Sequence, residues 1–66
     1  MEYVRLAVLE LVKAGVISLD ELWVAFFSVG GSAGELELEA YLYGLIPVSN
    51  IDMELLSPAL EIIEDT

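Results

Sequence analysis

Residues 32–44 read SAGELELEAYLYG, and this stretch admits two structures. The run Glu35-Leu36-Glu37-Leu38-Glu39 alternates acidic and apolar residues with the period of a half-buried strand. Yet Glu, Leu and Ala are good helix formers, and no β-branched residue lies among them. Helix signals also stand at both ends. Ser32-Ala33-Gly34-Glu35 has the spacing of a capping box, Gly44 is a natural stop, and Pro47 closes the segment. The balance favours a helix, and with it an all-α chain. Its apolar residues fall on two sides, Leu36, Ala40 and Tyr43 on one and Leu38 and Leu42 nearly opposite. A helix of that kind is sandwiched between neighbours or shared with a partner.

Upstream, Ser18-Leu19-Asp20-Glu21 is a second capping box, and its two acids suit the positive end of a helix dipole. The helix it opens is expected to run from Leu19 to about Val29. Leu22, Trp23, Phe26 and Phe27 form two adjacent i,i+4 pairs that should supply the bulk of a core, and Gly30-Gly31 ends the helix. Residues 2–14 predict another helix, with Val4, Ala7, Val8, Leu11 and Val12 on its apolar face, Leu6 and Leu9 on the polar side, and Gly15 as its stop.

Downstream, Ser49 or Asn50 is a suitable cap for a last helix carrying Leu55, Leu56, Ala59, Leu60, Ile62 and Ile63. Pro58 lies within it and should kink or split it, with Ser57 as one candidate cap for the second piece. The whole therefore predicts a single domain over residues 1–66, a small bundle or orthogonal array of four short helices.

Composition limits what such a domain can do. There is no cysteine and no histidine, so disulfides, thiolate metal sites, nucleophilic triads and histidine acid–base chemistry are absent. No cofactor and no metal are expected. Paired carboxylates could in principle serve glycosidase-type chemistry, but among 12 acids some pair is inevitable. Asn50, Asp52, Glu54 and Glu61 fall on four ligand places of a calcium loop, but Leu55 occupies the place that needs glycine for the turn. The glycines of residues 30–34 lack the lysine of a phosphate-binding loop, with Glu35 where it would stand, and read as a flexible interhelical connection. An enzyme is not expected.

Charge and apolarity point elsewhere. The net charge of −10 is uneven: residues 1–34 set Glu2, Glu10, Asp20 and Glu21 against Arg5 and Lys13, while residues 35–66 hold eight acids and no cation. Such a field repels nucleic-acid backbones and anionic membranes and attracts basic partners. The longest uncharged runs, residues 22–34 and 40–51, are too short to span a bilayer. Glu2, Arg5 and Glu10 do not suit a signal peptide, so a cytoplasmic protein is expected. At 58%, the apolar fraction exceeds the roughly 45–50% of ordinary domains, and a chain of 66 residues has little interior in which to hide the surplus.

These features predict a non-catalytic protein–protein interaction module, in one form a small acidic regulatory protein docking on a basic protein partner. Leu38, Tyr41 and Leu42 are the expected anchors, with Glu35, Glu37 and Glu39 as their acidic rim. Successive positions on a helix point about 100° apart, so Tyr41 and Tyr43 cannot both face one core, and tyrosine is favoured at interfaces. The alternative is a structural homodimer that buries its apolar helix faces against a second copy.

Overall fold

The helix reading of residues 32–44 holds. A computed structural model describes residues 2–47 and 53–65, and among those residues there are four complete helices and no strand. They are α1 (Glu2–Lys13), α2 (Leu19–Ser28), α3 (Glu35–Leu42) and α4 (Leu56–Glu64). The α2–α4 pairing is the most extensive, and α1 and α2 each pack on both α3 and α4. No helix among the described residues is long and apolar enough to cross a membrane.

Local chemistry sets the boundaries. At α2 the Ser18 hydroxyl accepts from the Glu21 amide at 3.0 Å while the Glu21 carboxylate accepts from the Ser18 amide at 3.4 Å, the expected reciprocal box. The first three helices end alike. Gly15, Gly30 and Gly44 take φ of +77°, +102° and +77°, and the next amide in each case closes on a carbonyl five residues back: Val16 on Leu11, Gly31 on Phe26, Leu45 on Ala40. These closures turn the chain within two or three residues and so produce an array of short helices.

The start of α3 differs from expectation. Its N-cap is Gly34, two residues beyond Ser32, and only half a capping box forms: the Glu37 carboxylate accepts from the Gly34 amide at 3.0 Å. Glycine has no side chain with which to return the bond. The connection before it is also pinned, because the Trp23 indole N–H donates to the Ala33 carbonyl at 3.0 Å. The C-terminal helical segment is in two pieces, but the break lies at Leu55 rather than at Pro58. Pro58 is the third residue of α4, where its missing N–H costs nothing. A helix continuous from Glu54 would drive the proline ring into the carbonyl four residues back, so the chain breaks first. Ser57 lies inside α4 and does not cap it. The expected cap at Ser49 or Asn50, and the calcium-loop places Asn50 and Asp52, lie outside the described residues.

The core comprises Val8, Leu9, Ile17, Leu22, Ala25, Phe26, Leu38, Tyr41, Leu42, Leu56 and Ala59, and it holds no charged residue among those described. Three of its members correct the sequence reading. Leu38, Tyr41 and Leu42, expected as interface anchors, are 1%, 5% and 0% exposed. Spaced i, i+3, i+4, they form the single face that α3 turns inward, so the exposed apolar face is the other one, Leu36 and Tyr43. Leu9 joins the core although it was expected on the polar side of α1, and Phe27 leaves it. Leu22 and Phe26 lie one turn apart and fill the interior. Phe27 is rotated about 100° from Phe26. It stacks instead on Trp23, with ring centroids 5.7 Å apart.

Candidate functional site

With the core filled by one face of each helix, the apolar surplus lies outside. Large side chains exposed on the described surface include Tyr3, Leu6, Val16, Val24, Phe27, Leu36, Tyr43, Leu45 and Ile62. Two hollows gather some of them.

The first hollow lies between α2 and α4, in a cleft of about 410 Å³. Asp20, Glu21, Val24, Ala25 and Ser28 form one wall, and Ile62 and Ile63 the other. Successive turns of α2 place residues 20 or 21, 24 or 25, and 28 in line, which is why one helix supplies a whole wall. Val24 is 59% exposed and Ile62 40%, with the neighbouring Phe27 at 62%. The one hydroxyl in the cleft is turned back on its own helix, since Ser28 Oγ donates to the Ala25 carbonyl at 2.7 Å. The wall that remains is almost wholly apolar, with acids only at the α2 N-terminal end.

That acidic end reaches α3. The Glu35 carboxyl hydrogen-bonds the Asp20 carboxyl; this bond, then desolvation, then the charges of Asp20 and Glu39 raise the Glu35 pKa above its ordinary value. Of the three acids expected as a rim, Glu35 therefore stands beside the cleft through Asp20. Glu37 is exposed and caps α3, and Glu39 is exposed close enough to Glu35 to act on its charge. The anchors beside them are Val24 and Ile62. Sequence spacing could flag Val24 as the odd apolar residue between the two core pairs of α2, but that α4 lies across from it is a tertiary fact.

The second hollow, of about 440 Å³, is lined by Arg5, Tyr41, Leu45, Ile46, Pro47 and Met53 with Gly44. It is partly cationic. The Arg5 guanidinium donates from Nη1 to the Leu42 carbonyl at 2.8 Å, placing a positive charge at the negative end of α3. The other cation, Lys13, pairs with Glu10 at 3.6 Å on the surface of α1. Neither α2, α3 nor α4 carries a lysine or arginine. No group of three or more potential metal-ligating side chains occurs among the described residues. Comparison of the chain with family models, with curated proteins and with solved structures found no match to any of them.

Proposed function

We propose that this chain is a non-catalytic interaction module that docks on a basic protein surface. One observation carries the reading: large apolar side chains stand exposed on helices that carry acids and no cation. Exposed apolar groups supply affinity by leaving water, while the surrounding charge steers a basic partner in and turns acidic ones away. Chemistry is the weaker reading of the same surface. The cleft lining offers only the acids Asp20 and Glu21 and one internally bonded hydroxyl, with no cation to orient a substrate against them. A substrate would find nothing to hold it in register.

The test is selective binding. The chain is titrated by fluorescence anisotropy with three labelled peptides: cationic and amphipathic, cationic without apolar residues, and anionic and amphipathic. Binding of the first alone, loosening as NaCl is raised, is the expected result. Equal binding of the second would reduce the effect to unspecific charge attraction, and failure of the first would end the proposal.

A further inference from the structure

We infer that the α2–α4 cleft is the docking site, and that its occupant is an amphipathic helix of a basic partner, lysine or arginine flanking an aliphatic stripe. The inference rests on the proposed function and gives it a place and a ligand chemistry. Three observations on the cleft support it. Its walls are aliphatic, with Val24 and Ile62 exposed beside the buried Ala25 and the half-buried Ile63, so they suit side chains inserted from above. The described residues contain no strand whose edge could template an extended peptide, so the partner must be read through side chains, as helices in grooves are. The charge is one-sided: Asp20, Glu21 and Glu35 gather at one end, and Glu61 and Glu64 accompany Ile62 and Ile63 along α4, with Asp65 at its C-cap.

That charge also selects against a second copy. A two-fold pair would set the same patch against itself, so two clefts that both carry Asp20 and Glu21 would face each other with no lysine or arginine on their walls to offset them. The cations of this chain are both on α1, one bonded at the end of α3 and one paired with Glu10, outside the cleft walls. The hollow beside Arg5 is the poorer seat for a basic helix, because its wall already carries a guanidinium.

The experiment titrates the whole ¹⁵N-labelled chain with a designed helical peptide bearing a leucine stripe flanked by lysines, and with its counterpart carrying glutamate for lysine. The expected result is a set of amide shifts centred on Val24, Ser28, Ile62 and Ile63 with the lysine peptide alone. Val24→Ser with Ile62→Ser should weaken binding about tenfold or more, as should Asp20→Asn with Glu21→Gln. Melting curves check that these variants, altered at exposed positions, remain folded. Shifts centred instead on Leu45 and Ile46 would overturn the cleft while leaving the interaction module standing. No binding would overturn both. Concentration-dependent broadening of the cleft amides in the free chain would make a second copy the occupant and overturn the inference.

Discussion

Helices α2 and α3 each carry apolar residues on two faces, yet they present the outer face differently. On α3 and its C-cap the exposed Leu36 and Tyr43 border neither wall of the α2–α4 cleft. On α2 the exposed Val24 looks over a hollow because α4 rises beside it. The inner faces are alike: Leu22 and Phe26 on one, Leu38 and Leu42 on the other, all closed to water. Two-sided apolarity in a sequence therefore says that one face is surplus, but only the neighbouring helix decides whether the surplus becomes a concave site.

The largest effects should break the inner faces. Leu38→Ser with Leu42→Ser removes two filled core positions and buries two hydroxyls, and a single large-to-small core change costs about 2–5 kcal/mol. For a domain this small we expect loss of the cooperative thermal transition by circular dichroism. A folded double variant with impaired binding would restore these residues to the interface and reverse the comparison.

Next comes the seam between α2 and α3. A Cβ on Gly31 would overlap the Phe26 ring, whereas one on Gly34 would meet only the Glu37 carboxylate at an ordinary 3.5 Å. Gly31→Ala should therefore cost about 1–3 kcal/mol by overpacking, and Gly34→Ala far less, with chemical denaturation separating the two. Smaller again is Phe26 against Phe27. Phe27→Ala loses a half-solvated ring and its stacking on Trp23, about 1 kcal/mol, while Phe26→Ala belongs with the core losses. Equal destabilisation of the pair would show that α2 has no outer face.

Much of this was legible in the sequence. The helix count, the Ser18–Glu21 box and the stops at Gly15, Gly30 and Gly44 follow from backbone chemistry within a few residues, and that chemistry is local. The break at Leu55 was nearly legible, since the clash of Pro58 four residues upstream is also local. The identity of the inner face was not. Leu38 and Leu36 are the same residue type two positions apart on one helix, and which of them joins the core depends on how α3 is rolled against α1 and α2. The cleft was hidden for the same reason, since Val24 and Ile62 are 38 residues apart in sequence.

The smallest effect lies at the acidic junction of α2 and α3. Because the folded chain raises the Glu35 pKa, it binds that proton more tightly than the unfolded chain does. Stability should fall as pH rises through the window from the ordinary value of 4.5 up to the raised one, and be recovered on acidification. Glu35→Gln should shallow the dependence of melting temperature on pH across that window. An unchanged slope would mean that the Asp20–Glu35 contact has no weight in solution.

The mass of the purified chain by sedimentation equilibrium, followed across concentration, tests most directly whether the core is complete within one chain and the surplus apolar surface is left for a different partner. A single chain of 7.2 kDa at every concentration is the expected result, since Leu38, Tyr41 and Leu42 are already closed inside and the cleft repels its own copy. A stable mass of two chains would contradict it and assign the exposed apolar surface to self-association.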